Sequence, residues 1–73
     1  MDDNQLKKII ALNVRAYRAK YNYKQTELAD LANITQSQLS IIERGITIPK
    51  ISTLAKLAEV FHIPVDDLLK SHF

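Results

Sequence analysis

Residues 25–45 read QTELADLANITQSQLSIIERG, and this stretch decides the fold of the chain. Apolar residues recur at i, i+3 and i+4 in its first part, at Leu28, Leu31 and Ala32, which is the spacing of one face of a helix. Asn33 follows, and asparagine is the best non-glycine residue for the positive φ that a tight turn between helices needs. The pattern predicts two short helices joined by a tight turn.

The second helix of this pair has clear boundary signals. Ile34 precedes it and is expected to be buried between the two helices. Thr35 and Gln38 form a Thr-x-x-Gln capping box, in which each side chain accepts a hydrogen bond from the backbone N–H of the other residue. Gly45 supplies the positive-φ stop after the last turn. The sequence therefore predicts a helix that starts just after Thr35 and ends just before Gly45.

This second helix has two different faces when its residues are placed at about 100° each. Leu39, Ile42 and Glu43 fall on the arc that we expect to face the protein. The opposite arc carries an amide, two hydroxyls, an isoleucine and a guanidinium, from Gln36, Ser37, Ser40, Ile41 and Arg44. Amide and guanidinium groups match the adenine and guanine edges in the DNA major groove. The layout is typical of a helix-turn-helix, and the alternative is an ordinary amphipathic helix with a solvated polar face.

The stretch resembles the lambda-repressor-like (Xre-type) helix-turn-helix family. The matching residues are Gln25, Leu28, Ala29, Ile34, Thr35, Leu39, Ile42, Glu43 and Gly45, with further matches over residues 14–18 and 49–68. The resemblance implies an all-α, compact five-helix domain that binds operator DNA, usually as a symmetric dimer. Lys24 departs from the family pattern, which prefers Ser or Thr as an N-cap at this position.

The resemblance also implies an internal ion pair between Arg18 and Glu43 that would fix the angle of the recognition helix. The residues by themselves show only that both charges border apolar stripes, so two solvated side chains remain the alternative. Leaving one member of a partly buried pair without the other would be costly.

The predicted DNA surface combines base contacts with a cationic rim. Base contacts are predicted for Gln36, Ser37, Ser40, Ile41 and Arg44, with Gln36 as the best candidate for a bidentate contact to adenine. Ile41 is expected either against a thymine methyl or sugar, or against Ile46 or Ile48. DNA backbone contacts are predicted for Arg15, Lys24, Gln25, Thr35 and Lys50. The net charge of +2 is modest for a nucleic-acid binder, so the distribution of charge matters more than its sum.

Composition limits the other function classes. A chain of 73 residues allows one domain, predicted to span residues 1–73 with its core at about 6–69. The absence of cysteine excludes a disulfide scaffold and a thiolate metal site, and fits a reducing cytosol. His62 and His72 are not at metal-ligand spacing, and a single glycine leaves no glycine-rich phosphate loop. We therefore expect no enzyme activity, cofactor, metal or membrane span, and a cytoplasmic location.

The remaining helices are predicted at about residues 4–21, at 50 or 51 to 61, and in a short last segment opened by Pro64. Apolar residues form one stripe on the first of these, at Leu6, Ile10, Val14, Tyr17 and Tyr21. In the last segment, Leu68 is expected to face the core. Val65, Leu69 and Phe73 form a neighbouring stripe, which we interpret as an exposed dimer interface. The alternative is that this stripe folds back on helix one near Leu6.

The sequence thus predicts a small transcriptional regulator, such as a repressor, that works by equilibrium binding to double-stranded DNA. A homodimer would place two recognition helices in successive major grooves, about 34 Å apart, on a palindromic operator. RNA polymerase or a partner protein could be a further partner. Phage, restriction-modification, plasmid and toxin-antitoxin systems all use regulators of this size. An antitoxin-type or other protein-interaction module with the same fold is the alternative.

Overall fold

Five α-helices follow one another along residues 2–72, the part of the chain that this computed structural model describes. They are α1 (Asp3–Lys20), α2 (Gln25–Leu31), α3 (Gln36–Glu43), α4 (Ile51–Phe61) and α5 (Asp66–Leu69). No strand occurs among these described residues. The prediction of an all-α, five-helix fold is confirmed, with helix boundaries within one or two residues of those expected.

Capping interactions explain why three of the helices begin where they do. The Thr35 hydroxyl accepts a hydrogen bond from the Gln38 N–H at 3.0 Å, and the Gln38 side chain accepts one from the Thr35 N–H at 2.9 Å. The predicted capping box of α3 is therefore confirmed. Asp2 and Gln5 form an equivalent box at α1. The side chain of Lys24 has no oxygen to cap α2, and only the Glu27 side chain contributes there, by accepting from the Lys24 N–H at 2.8 Å.

Positive-φ residues follow four of the helices and shape the turns. Asn33 has φ of 55° between α2 and α3, as predicted, and Gly45 has φ of 70° after α3. Asn22 and His62 each have φ of 57° after α1 and α4. Histidine adopts this conformation less readily than glycine but more readily than most other residues, and the side chain at position 62 lies exposed on the surface.

The core lies between α1, α3, α4 and the apolar faces of α2 and α5. Its fully buried members include Ile10, Val14, Leu28, Leu39, Leu57, Phe61 and Leu68. One prediction about the core was wrong. Ile34 is half-buried rather than buried, because it packs at the edge of the core cluster. Leu31, which belongs to the apolar pattern of α2, is 56% exposed. The buried positions of α2 are Leu28, Ala29 and Ala32, and Leu31 lies about 100° away from the centre of their arc around the helix.

Tyr21 also differs from its predicted place in the core stripe. It follows the last residue of α1 and is 38% exposed. Its hydroxyl donates to the Phe61 carbonyl oxygen at 3.0 Å, and its ring stacks on that of Phe61 with centroids 6.0 Å apart. Tyr21 thus joins the end of α1 to the end of α4 at the surface, with its polar tip in contact with backbone.

Asn13 fastens α5 to α1, a role that sequence reasoning missed. Its side chain is buried, and its Nδ2 donates to the carbonyl oxygens of Leu68 at 2.9 Å and Lys70 at 2.7 Å. These two carbonyls end a helix of four residues, which has no later turn to satisfy them. A polar residue in the middle of the apolar face of α1 therefore serves as the cap of a helix that is distant in sequence.

The stripe on α5 is less exposed than predicted. Val65 and Leu69 are half-buried and pack against the core cluster, because the cap from Asn13 holds their segment on α1. Phe73, the third predicted interface residue, lies outside the described residues. Leu68 is fully buried, as expected.

None of the helices in residues 2–72 has the length and hydrophobicity that crossing a bilayer requires.

Candidate DNA interface

Helix α3 is fixed by its inner face and leaves its outer face free. Leu39 and Ile42 are buried in the core, and Glu43 beside them is only 4% exposed. The predicted division of α3 into an inner and an outer arc is therefore confirmed. Gln36, Ser37 and Arg44 lie exposed on the outer arc, where an incoming ligand would meet them first.

A shallow depression collects all five predicted base-contact residues. It is lined by Gln36, Ser37, Ser40, Ile41 and Arg44 of the α3 region and by Gln25 from the start of α2. The Arg44 Nε donates to the Ser40 carbonyl oxygen at 3.3 Å, so the guanidinium lies along its own helix. This surface presents amide, hydroxyl and guanidinium groups of one helix together with a side chain at the N-terminus of another.

Arg18 and Glu43 form an ion pair with two parallel contacts. Arg18 Nε donates to Glu43 Oε2 at 2.7 Å, and Arg18 Nη2 donates to Glu43 Oε1 at 3.0 Å. The Glu43 side chain is 5% exposed and that of Arg18 is 27% exposed. Arg18 Nη1 also donates to the Tyr23 carbonyl oxygen at 3.1 Å. One guanidinium thus connects α1, the segment before α2, and the last turn of α3 in a fixed geometry.

Gln25 extends this pair to the surface, a link that sequence reasoning missed. Its Nε2 donates to Glu43 Oε1 at 3.2 Å, and its Oε1 accepts from Gln36 Nε2 at 3.4 Å. A continuous set of contacts therefore runs from Arg18 in α1 to Gln36 on the outer face of α3. Its members are separated by 25, 18 and 11 positions, so no local pattern in the sequence could indicate it.

The predicted backbone contacts lie around this depression at several places. Lys24 and Lys50 are exposed at the N-caps of α2 and α4. Thr35 is exposed at the N-cap of α3, where its hydroxyl accepts from the Gln38 N–H. Arg15 is exposed and lines a second depression beside α1, which it shares with Arg44.

One further feature of the rim was not predicted. Lys8 lines the second depression together with Arg15, Arg44 and Glu43, so three cationic side chains and one carboxylate border it. Ile41 lines both the first depression and a third one that also contains Ile48, which was one of the two surroundings expected for it. Lys8 could have been found from its spacing, because it lies seven positions before Arg15 on the same face of α1.

Comparison with known proteins places the chain in a family. A family model described as helix-turn-helix matches residues 14–68, which include α2, the turn and α3. The chain belongs to the helix-turn-helix family. The resemblance to lambda-repressor-like (Xre-type) members is confirmed, and this family is that of DNA-binding transcription regulators.

Two helix-turn-helix relatives and one solved structure show how far the similarity extends. The HTH-type transcriptional regulator SinR of Bacillus subtilis is 37% identical over 62 residues, which cover 84% of this chain and 56% of SinR. The control protein C.SmaI of Serratia marcescens is 34% identical over 64 residues, covering 88% of this chain and 76% of C.SmaI. A crystal structure of SinR in complex with DNA has a TM-score of 0.80 at 37% identity. That similarity covers 84% of this chain and 98% of the solved chain.

The chain therefore spans little more than half the length of the SinR proteins that it matches. In the structure with DNA, however, the matched part makes up nearly all of the solved SinR chain.

Proposed function

We propose that this protein is a sequence-specific, double-stranded DNA-binding transcriptional regulator whose α3 enters the major groove. The observation that carries the proposal is the depression on α3, where one amide, two hydroxyls and a guanidinium face outwards next to Gln25. The solved SinR chain in complex with DNA has the same fold over nearly its whole length, which supports a DNA partner. The proposed mode of action is equilibrium binding in the cytoplasm, by a single domain without catalysis.

Base reading is assigned to the outer face of α3. Gln36, at the N-terminal end of the helix, is proposed to make a bidentate contact to adenine N6 and N7. Ser37, Ser40 and Arg44 complete the reading face. Ile41 is half-buried, which suits an apolar contact to a thymine methyl group at the side of the groove.

Backbone contacts are assigned to the rim. Gln25 begins α2, where free backbone N–H groups favour a phosphate oxygen. Lys24, Arg15 and Lys50 add charge, and Thr35 is exposed at the start of α3. These contacts fix the position of the domain on the duplex without reading its sequence.

A homodimer on a palindromic operator is the proposed assembly. Two copies would place their α3 helices about 34 Å apart, in successive major grooves. The stripe formed by Val65 and Leu69 is the proposed contact between copies, together with Phe73. RNA polymerase or another protein is proposed to be a further partner that contacts the DNA-bound dimer.

A binding titration tests the function directly. The protein is titrated against random duplex and against a duplex selected by it from a randomised pool, each at two salt concentrations. We expect tighter binding to the selected duplex and a steep decrease in affinity with salt for both. Gln36→Ala should weaken binding by about 1–3 kcal/mol, and only at one base position. A protein that binds neither duplex would contradict the proposal and favour the antitoxin-type protein-interaction role.

A further inference from the structure

The orientation of the Gln25 amide is fixed by the chemistry of its neighbour. An amide has one acceptor end and one donor end, and either end of an isolated glutamine could face a given side. The neighbour of Gln25 is the Glu43 carboxylate, and an ionised carboxylate only accepts hydrogen bonds. The amide end of Gln25 that lies 3.2 Å from Glu43 Oε1 must therefore be Nε2.

The orientation of the Gln25 amide in turn determines that of the Gln36 amide. With Nε2 of Gln25 directed at Glu43, its Oε1 is directed outwards, and it accepts from Gln36 Nε2 at 3.4 Å. Gln36 therefore has its donor end next to Gln25 and its acceptor end away from it. One N–H of Gln36 remains free, together with both lone pairs of its Oε1.

Arg18 holds the Glu43 carboxylate in place, and Glu43 is the residue that orients Gln25. Its two contacts to Glu43, at 2.7 and 3.0 Å, leave the nearly buried carboxylate only one arrangement in which both oxygens are satisfied. Neither Arg18 nor Glu43 lies in the depression that carries the reading side chains. Glu43 is therefore a candidate positioning residue, acting on Gln36 through Gln25.

The order of donor and acceptor on Gln36 matters for reading DNA. Adenine presents its N7 acceptor nearer to its own backbone and its N6 donor nearer to the centre of the base pair. Gln25 is proposed to contact the phosphate backbone of one strand. When the adenine lies on that strand, the donor end of Gln36 meets N7 and its acceptor end meets N6. If the base pair is inverted, thymine O4 and its methyl group take this place, and the bidentate match is lost.

We propose that Glu43 sets the strand from which Gln36 reads adenine, because it fixes the Gln36 amide through Gln25. This inference rests on the proposed DNA-binding function and adds a specificity-determining residue that does not touch DNA. It separates two properties of the operator: the identity of the base pair as A·T, and the strand on which the adenine lies.

The test compares operators that differ by inversion of a single base pair. The full chain selects its preferred operator from a randomised duplex pool, and Gln36→Ala identifies the base pair that Gln36 reads. Dissociation constants are then measured for the A·T and T·A versions of that pair. We expect the wild-type protein to prefer one version by about tenfold, the lower range of a bidentate contact.

Two variants disrupt the contacts between Glu43, Gln25 and Gln36 at different residues. Gln25→Met removes both amide contacts and keeps the Arg18–Glu43 pair, and Glu43→Gln replaces an obligate acceptor by an amide. In both, the preference for one version should decrease to about twofold, whatever the change in overall affinity. Gln5→Met is the matched control, since it makes the same chemical change at the start of α1 and should leave the preference unchanged. Circular dichroism verifies that each variant is folded.

A double variant tests the chemistry of the link rather than its presence. In Gln25→Glu with Glu43→Gln, the amide at position 43 donates to a carboxylate at position 25, which again can only accept from Gln36. The preference for one version should return towards tenfold, although the added negative charge near DNA weakens binding to both versions.

The outcomes separate this inference from the proposed function. A wild-type protein without preference at any base pair overturns both. A protein that selects an operator but keeps its full strand preference in Gln25→Met and in Glu43→Gln overturns the role of Glu43 alone. Loss of preference in the single variants without recovery in the double variant also contradicts it, because a purely structural disturbance would give that result.

Discussion

At the scale of single residues, Arg18 matters most for the position of α3, although it does not lie on the proposed DNA surface. It neutralises Glu43 in the core and holds the Tyr23 carbonyl oxygen. The ion pair itself adds little to the free energy of unfolding, whereas loss of Arg18 alone would leave the Glu43 carboxylate without a partner. A buried carboxylate left alone loses its hydration without compensation.

We therefore expect Arg18→Met to lower the free energy of unfolding by about 3 kcal/mol, near the lower end for a broken buried pair because Arg18 keeps some contact with water. Urea denaturation followed by circular dichroism measures this. Arg15→Met is the control, because Arg15 is exposed on the same helix and its loss should change stability by less than about 0.5 kcal/mol. Equal effects of the two substitutions would contradict the claim that Arg18 compensates the buried charge of Glu43.

At the scale of secondary structure elements, the two helices of the motif begin with unequal caps. Thr35 and Gln38 complete the box of α3, whereas the N-cap of α2 is Lys24, whose side chain offers no acceptor to the first turn. Lys24 is also exposed where a DNA phosphate is expected. Stability and binding therefore favour different residues at this position.

We expect Lys24→Ser to raise the free energy of unfolding by about 0.5–1 kcal/mol, since serine would accept from the Glu27 N–H and complete a capping box. The same change should weaken DNA binding about equally on all sequences and reduce the salt slope by about one unit. Denaturation and salt-dependent titration of one protein sample measure both effects. A more stable protein with an unchanged salt slope would remove Lys24 from the DNA rim.

Helix α5 depends on an element far from it in sequence. Its four residues are too few for a stable helix on their own, and Asn13 satisfies carbonyls at its end. Asn13→Leu removes the donor from both carbonyls and leaves that of the buried Leu68 unsatisfied, which should cost about 1–3 kcal/mol. Amide hydrogen exchange should accelerate first at Leu68, whose N–H donates to the Val65 carbonyl oxygen. Asn4→Leu, at an exposed position of α1, is the control, and similar exchange in both variants would contradict the role of Asn13.

At the scale of the whole molecule, Leu69 connects the core with the proposed dimer. It is half-buried and packs against the core cluster, while the rest of its surface is accessible. Leu69→Glu is expected to give a folded monomer with weak operator binding, as measured by sedimentation and titration. An unfolded chain would assign Leu69 to the core only. A folded dimer that binds normally would contradict the proposed interface.

The sequence predicted the parts of the molecule that depend on local periodicity and on turns. The capping box at Thr35, the positive φ of Asn33 and the inner face of α3 all follow from residues within a few positions of one another. The exposure of Leu31 could not be predicted in this way, because a period of 3.6 gives the spacing of an apolar face without saying how wide an arc of the helix the core covers.

Contacts between distant polar residues lay beyond the same reasoning. Asn13 looks like an interruption of an apolar stripe until the carbonyls of Leu68 and Lys70 are placed beside it. Gln25 was assigned to a phosphate from its position at a helix start, and its link to Glu43 depends on how α2 crosses α3. Such contacts are set by the packing of helices, which a single sequence does not reveal.

The burial of Glu43 has a consequence for how this protein would respond to its ionic surroundings. Salt weakens contacts between exposed lysines and phosphates, but it hardly reaches a carboxylate that is 5% exposed and held by two short contacts. A rise in ionic strength should therefore lower occupancy at every site on a chromosome in parallel. The ranking of those sites, from strongest to weakest, should stay the same as the protein is released from them.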